Sequence, residues 1–207
     1  MNYLAHLYLS SDSDDAIVGG MLGDFVKGPL AGRFRSEVER AISLHRGIDT
    51  YTDAHPLAKA SRDRITPRRR RFAGIIVDVF YDHLLARHWM DYSVVPLEQF
   101  AQNVYETLTS RYESLPTELR RVVPRMVSEN WLVNYRDRDA IERTLNRIST
   151  RIRRQNTLFG AAGELESIGD QLDRDFRGFF PELIAYVGHR KAGASPLARG
   201  SACRSGT

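Results

Sequence analysis

The sequence predicts an all-α protein: one helical domain over residues 1–190, followed by a disordered tail over residues 191–207. Three observations support this prediction. Apolar residues recur with helical spacing in seven segments, no segment shows the alternation typical of a strand, and the tail is small and polar without periodicity. A chain of 207 residues is also long enough to bury one sizeable core.

Three helices are predicted in the first half of the chain. Segment 14–26 carries an apolar stripe at helical spacing. Segment 36–53 begins with Ser36 as a candidate N-cap, followed three residues later by Glu39, which is the spacing of a capping box. Segment 72–90 is nearly all apolar, so it is the most deeply buried helix of the prediction.

Four helices are predicted in the second half. Segments 97–112 and 140–154 repeat apolar residues every three or four positions. Segment 119–135 contains Pro124, which should end or kink a helix at that point. Segment 164–180 has the same periodicity, and the following residues extend this helix or form another.

Composition excludes several classes of protein. Hydrophobic residues make up 42% and charged residues 27% of the chain, which is typical of a globular protein and not of a disordered one. No apolar run reaches the roughly 20 residues of a membrane span, and the stretch MNYLAHLYLSSDSDD lacks the basic region of a signal peptide. The single cysteine, Cys203, excludes a disulfide framework and a thiolate metal site, and it favours a cytoplasmic location.

Basic residues are clustered in a chain of net charge +4. The clusters are RDRITPRRRRF (62–72), LRRVVPR (119–125) and RISTRIRRQ (147–155). They could meet nucleic acid, an anionic membrane or an acidic protein, or they could be solvated helix faces. No nucleic-acid motif is present and aromatic residues are not interleaved with the arginines, so we expect no nucleic-acid partner.

Acids and a histidine follow the apolar stripes of three predicted helices. Asp78 and Asp82 lie one helical turn apart within IIVDVFYDHLLARHW, and His45 and Asp49 have the same spacing on another helix. Asp24 continues the stripe of the first helix. Because buried carboxylates need a partner, three such helices predict a shared polar centre that is a metal or catalytic site.

The residue types restrict the metal. Histidine with several carboxylates and no cysteine suits Mn²⁺, Fe²⁺, Mg²⁺ or Zn²⁺. A ferritin-like di-iron site is not expected, because its Glu-x-x-His pairs are missing. The alternative is a buried ion-pair network among Asp78, Asp82, Arg46 and His45.

Glycines interrupt the first predicted helix at Gly19, Gly20 and Gly23. Each weakens an isolated helix by about 1 kcal/mol relative to alanine. They therefore indicate a close approach, either of a ligand beside Asp24 or of a neighbouring helix.

Six stretches together resemble one protein family. MNYLAHLYL, GGMLGDFVKG, LHRGIDTYTDAHP, DVFYDHLLARHW, WLVNYRD and FFPEL occur in the order seen in the acyl carrier protein phosphodiesterase family. The resemblance extends from residue 1 to about residue 190. It implies an HD-domain-like helical fold and hydrolysis of the phosphodiester that joins 4'-phosphopantetheine to a serine of holo acyl carrier protein. It also implies Mn²⁺ as the cofactor, with Mg²⁺ or Fe²⁺ as alternatives.

The resemblance also suggests roles for individual residues. The expected metal ligands are Asp24, His45, Asp78 and Asp82. His83 or His6 is expected to donate a proton to the leaving serine oxygen, and Asp49 is a further catalytic candidate. Lys27 and Arg46 are expected to hold the phosphate. One departure from the family pattern is Tyr8, where relatives often have a second histidine, so no base is expected at that position.

The expected partner is holo acyl carrier protein, which is small and acidic. Arg68, Arg69 and Arg70 would then serve as a docking surface that speeds the encounter. Two other functions fit the same residues: a related phosphohydrolase that acts on nucleotides, and a non-enzymatic helical module whose buried acids pair with arginines. The sequence leaves the oligomeric state open.

Overall fold

The computed structural model describes residues 1–193, which form twelve α-helices and three short 3-10 turns without any strand. The all-α prediction is therefore confirmed for this part of the chain. The α-helices are α1 Tyr3–Ser10, α2 Asp14–Leu22, α3 Ser36–Ala54, α4 Pro56–Arg64, α5 Ala73–Arg87, α6 Trp89–Tyr92, α7 Leu97–Ser110, α8 Thr117–Arg120, α9 Val123–Ser128, α10 Trp131–Asn134, α11 Arg138–Arg151 and α12 Glu164–Gly193. None of them is long and apolar enough to cross a bilayer.

Several predicted boundaries are corrected. Helix α12 continues through Pro181 to Gly193, so residues 191–193, which were assigned to the tail, are helical. The rest of the predicted tail, residues 194–207, lies outside the described residues. Segment 119–135 divides into α8, α9 and α10, with Pro124 in the first turn of α9, where its missing N–H costs no hydrogen bond. Helices α1 and α4 were not predicted.

The start of α3 also differs in detail from its prediction. Ser36 is the first helical residue, the N-cap is Arg35, and no side chain caps the helix there. Glu39 still reaches back, because its carboxylate accepts a hydrogen bond from the backbone N–H of Phe34 at 3.2 Å.

Close packing of α2 on α3 brings the candidate site together. A Cβ atom at Gly19 would lie 2.5 Å from both the Ala41 Cβ and the Val38 carbonyl oxygen. Gly19 therefore serves helix packing, one of the two alternatives that the sequence allowed. Helix α1 contacts α2, α3 and α5, so its side chains meet those of three other helices.

Candidate metal centre

Helices α1 and α3 bring two histidines and a carboxylate to one point. One ligand atom each of His6, His45 and Asp49 lies within 4.8 Å of the other two. His6 Nε2 is 3.0 Å from Asp49 Oδ1, and His45 Nε2 is 3.4 Å from Asp49 Oδ2. The two imidazole rings stack with centroids 3.5 Å apart and planes inclined by 6°. This is the geometry of side chains that converge on one small ion.

Asp24 adds a second carboxylate. It follows the C-terminus of α2, and its Oδ1 lies 3.5 Å from His45 Nε2. The Asp24 and Asp49 side chains are 47% and 43% exposed, whereas His6 and His45 are buried at 2% exposure. The open side of the group is therefore its carboxylate side. We refer to His6, His45, Asp49 and Asp24 together as the histidine–carboxylate group.

The backbone of α2 determines the tautomer of His45. Its Nδ1 donates a hydrogen bond to the Gly20 carbonyl at 2.8 Å, so Nε2 is the nitrogen that faces the carboxylates. This is the arrangement by which metal-binding histidines are usually oriented. The ring fits only because residue 23 is glycine, since a Cβ at Gly23 would lie 2.1 Å from His45 Cγ.

Three buried imidazole nitrogens in this group lack hydrogen bonds. They are His6 Nδ1, His6 Nε2 and His45 Nε2, and the short contacts to carboxylates do not have hydrogen-bond geometry. A buried polar atom without a partner costs about 1–3 kcal/mol, so three of them in one place need an explanation. A divalent cation between the imidazoles and carboxylates would provide a partner for His6 Nε2 and His45 Nε2, although not for His6 Nδ1 on the other side of its ring, and the donor set fits such an ion.

The electrostatics of the group match this interpretation. Burial opposes a proton on His45, but the carboxylates of Asp24 and Asp49 outweigh burial and raise its pKa to about 9. Burial lowers the pKa of His6 to about 4, against the nearby Asp49. Although burial raises the pKa of Asp49, the two imidazoles hold it well below its usual range. His45 thus carries a proton at the position where a metal cation would bind.

Asp82, a predicted metal ligand, has a different role in the structure. It is fully buried, and its carboxylate accepts hydrogen bonds from the backbone N–H groups of Asn2 at 3.2 Å, Leu4 at 2.7 Å and Ala5 at 3.3 Å. Burial raises the pKa of Asp82 to about 7, against these donors and the N-terminal amine. Asp82 therefore caps the N-terminus of α1, and its oxygens are engaged there.

Asp78 lies at the edge of the site. Its Oδ1 is 2.9 Å from the amino group of Met1, which is also 3.7 Å from Asp49 Oδ1. Burial lowers the pKa of this amine, but Asp78 and Asp49 outweigh burial and raise it. The ammonium group of Met1 thus forms ion pairs with both Asp78 and Asp49.

His83 points away from the histidine–carboxylate group. Its Nδ1 is 2.7 Å from the carbonyl oxygen of Tyr135, and its ring lines a separate cavity with Arg87 and Arg136. The proton-donor role expected of it stays a prediction. His6, the alternative donor, belongs to the group itself.

Of the two residues expected to hold phosphate, Arg46 has a partner in the structure and Lys27 is exposed. Arg46 donates to the Val26 carbonyl at 2.8 Å and so supports the loop after Asp24, in which Lys27 is exposed. No structural contact ties Arg46 to Asp78 or Asp82, as the ion-pair alternative required, within residues 1–193.

The arginines expected to form a docking surface differ from one another. Arg69 is held by Glu164 at 3.0 Å and by the Thr157 carbonyl at 3.0 Å, so it connects two segments of the fold. Arg70 donates to the Asp63 carbonyl at 2.9 Å. Arg68 is exposed, and it alone of the three has a side chain without an ion-pair partner within residues 1–193.

Comparison with known proteins identifies the family. The family model described as acyl carrier protein phosphodiesterase matches residues 1–183 of the chain. The chain belongs to the acyl carrier protein phosphodiesterase family. No solved structure matches it with statistical significance.

Curated members of the acyl carrier protein phosphodiesterase family are similar over nearly their whole length. The protein of that name from Escherichia coli O139:H28 (strain E24377A / ETEC) is 34% identical over 191 residues, which cover 92% of this chain and 99% of the relative. The one from Klebsiella pneumoniae (strain 342) is 33% identical over 185 residues, covering 89% and 96%.

Three of the stretches that indicated the family meet at the histidine–carboxylate group. MNYLAHLYL contributes His6, GGMLGDFVKG contributes Asp24, and LHRGIDTYTDAHP contributes His45 and Asp49. A fourth stretch, DVFYDHLLARHW, contributes Asp82. The Asp82 carboxylate accepts a hydrogen bond from the backbone N–H of Leu4 in α1, the helix that carries His6. Tyr8 is turned away, because its hydroxyl donates to the Tyr92 carbonyl at 2.6 Å.

Proposed function

We propose that the protein is a metal-dependent hydrolase that removes 4'-phosphopantetheine from holo acyl carrier protein. The observation that carries this proposal is the set of buried His6 and His45 nitrogens that lack hydrogen bonds and face Asp49 and Asp24. In a chain of this family, such a group is the natural place for phosphodiester hydrolysis.

The residues proposed to hold the cation are His6, His45, Asp49 and Asp24. Two imidazole nitrogens with carboxylate oxygens suit Mn²⁺, Fe²⁺ or Zn²⁺ better than Mg²⁺, and Mn²⁺ is the ion we propose. A divalent cation held there supplies Lewis-acid stabilisation of the phosphoryl charge and lowers the pKa of a bound water.

The chain's own residues prepare the site. Gly20 holds His45 in the tautomer that presents Nε2, and Asp49 lies against both imidazoles, so neither ring needs to reorient. The imidazoles are buried and only the carboxylate side reaches solvent. Substrate would therefore approach past Asp24 and Asp49, while the rings keep water from the opposite side.

The proposed partner is the acidic carrier protein. Arg68, Arg143 and Arg151 are exposed at the surface, where basic charge raises the rate of encounter with an acidic protein. Arg69 and Arg70 are proposed to stabilise the fold, because their side chains already have acidic or carbonyl partners.

Mass spectrometry of holo acyl carrier protein incubated with the protein and Mn²⁺ tests the proposal. The expected result is apo carrier protein plus free 4'-phosphopantetheine, and no reaction when a chelator is added in excess. An intact holo protein at all metal concentrations would contradict the proposed function. Hydrolysis of nucleotides instead would favour the related phosphohydrolase.

A further inference from the structure

A cavity of about 610 Å³ opens beside the histidine–carboxylate group, between the start of α1 and helices α10 and α11. Sites for small molecules have cavities of roughly 300–1,000 Å³, so this one can accept an extended organic group. Tyr3 lines the cavity, one helical turn before His6. The cavity therefore reaches α1 within one turn of His6, although no residue of the histidine–carboxylate group lines it.

The lining of the cavity is strongly basic. Arg143, Arg147 and Arg151 recur every four residues along α11 and so lie on one face of this helix. Arg125 adds a fourth guanidinium, and Glu129 is the one acidic residue of the lining. This combination favours an anionic ligand.

Two of the four arginines are occupied by Glu129. Its carboxylate accepts from Arg125 Nε at 2.6 Å and from Arg147 Nη2 at 2.5 Å. The Arg147 guanidinium also lies 4.7 Å from the centre of the Trp131 ring, so it forms part of the wall.

The other two arginines remain available to a ligand. The acid nearest to Arg143 is Asp137, at 3.7 Å, and Arg151 has no ion pair within residues 1–193. Both are exposed. Binding an anion would therefore not require an existing short ion pair to break.

Tyr3 connects the cavity to the proposed metal site. Its ring stacks on Trp131 with centroids 6.2 Å apart. Burial and the nearby Asp24 raise the pKa of Tyr3 to about 12, although Arg151 lowers it. Tyr3 and Arg151 both line the cavity, and Tyr3 lies one helical turn before His6 on α1.

We infer that this cavity binds the phosphopantetheine arm, with Arg151 holding the phosphate and the Tyr3–Trp131 pair covering the apolar part of the arm. The inference rests on the proposed function, because that function defines the arm as the substrate's reacting end. Its own basis is the position, size and charge of the cavity. Arg143 is the second guanidinium available to the phosphate.

Isothermal titration of the full-length protein with free 4'-phosphopantetheine tests the inference. Arg151→Gln should weaken binding by roughly 10- to 100-fold, the loss expected when a charge-assisted hydrogen bond to phosphate is removed. Arg174→Gln is the matched control, because Arg174 is exposed on α12 outside the cavity and its change removes the same charge. Pantetheine, which lacks the phosphate, should bind wild type and Arg151→Gln equally.

The outcomes separate this inference from the proposed function. Equal affinities of Arg151→Gln and Arg174→Gln for 4'-phosphopantetheine, or no binding by wild type, would overturn the cavity assignment even if holo acyl carrier protein is cleaved. Arg151-dependent binding without cleavage would support the cavity and contradict the function. Loss of pantetheine binding in Arg151→Gln would also overturn the assignment, because the arginine would then not act on the phosphate.

Discussion

Two buried polar environments lie one turn of α1 apart. They differ in whether their polar atoms have hydrogen-bond partners. At its N-terminus, Asp82 accepts three backbone N–H groups and leaves none of its oxygens without a partner. At His6, three imidazole nitrogens of the histidine–carboxylate group have no hydrogen bond. Both environments contain an aspartate beside buried groups, yet only the second has imidazole nitrogens without a hydrogen-bond partner. A candidate ligand site therefore differs from a structural site in having polar atoms without hydrogen-bond partners, and not in the burial of charge.

The largest effect is expected at the histidine–carboxylate group. His45→Gln should lower Mn²⁺-dependent cleavage by at least about 100-fold, because even the indirect supports of a metal commonly contribute 10- to 100-fold. Stability in the absence of metal should fall by only about 1 kcal/mol, the net contribution of the hydrogen bond that His45 Nδ1 donates to the Gly20 carbonyl. Cleavage kinetics and thermal unfolding of the chelated protein measure the two effects. An unfolded variant, or a folded one with full activity, would count against a ligand role.

The opposite behaviour is expected at Asp82. Asp82→Ala should destabilise the protein by about 2–3 kcal/mol, because several N–H groups at the start of α1 lose a charged acceptor. Asp82→Asn should lose less, because its amide oxygen can still accept. Chemical denaturation gives these values, and Mn²⁺ titration of the folded variants should remain close to wild type. If Asp82→Asn instead abolished metal binding while the fold stayed stable, the capping role would be wrong.

The space for the His45 ring gives a sharper test of the comparison. Gly23→Ala should displace the ring, because the new Cβ would lie 2.1 Å from His45 Cγ. Such overpacking costs about 1–3 kcal/mol and should also weaken Mn²⁺ binding. Gly188→Ala is the control: it lies within α12 with nothing within 4 Å of the new Cβ, and it should stabilise the helix by up to about 1 kcal/mol. Equal effects of the two substitutions would show that the ring is not constrained by residue 23.

A further predicted effect is a pH dependence of metal affinity. The pKa of His45 is about 9 without metal, so a cation must displace one proton from it below that pH. His6, with a pKa of about 4, is already neutral near pH 7 and releases none. The dissociation constant for Mn²⁺ should therefore fall about tenfold for each pH unit as pH rises from about 6 to 8. Equilibrium titrations across this range would contradict the assignment if the affinity were independent of pH.

Periodicity predicted most of the longer helices, and it placed Asp24, His45 and Asp49 on inward faces. His45 and Asp49 share a face of α3 by their spacing, and Asp24 was placed inward by the stripe of α2. The resemblance marked His6, although as a proton donor and not as a member of the group.

The sequence did not predict the hydrogen-bond partners of the buried acids. Periodicity shows that Asp82 faces inward. Its hydrogen-bond partners are backbone N–H groups 77 to 80 residues away, and no pattern of side chains indicates them. His83 is adjacent in sequence but points to a different cavity, because neighbouring residues on a helix face about 100° apart. The cavity beside Tyr3 depends on how α1, α10 and α11 meet, so only the arginine spacing of α11 hinted at it.

Electron spin echo spectroscopy of the Mn²⁺-loaded protein tests the central claim most directly, because it detects nitrogen nuclei bound to the metal. The account predicts nitrogen coupling from two imidazoles in the wild type, one of which disappears in His45→Gln while both remain in Asp82→Asn. A Mn²⁺ signal without nitrogen coupling, or one that changes in Asp82→Asn and not in His45→Gln, would contradict it.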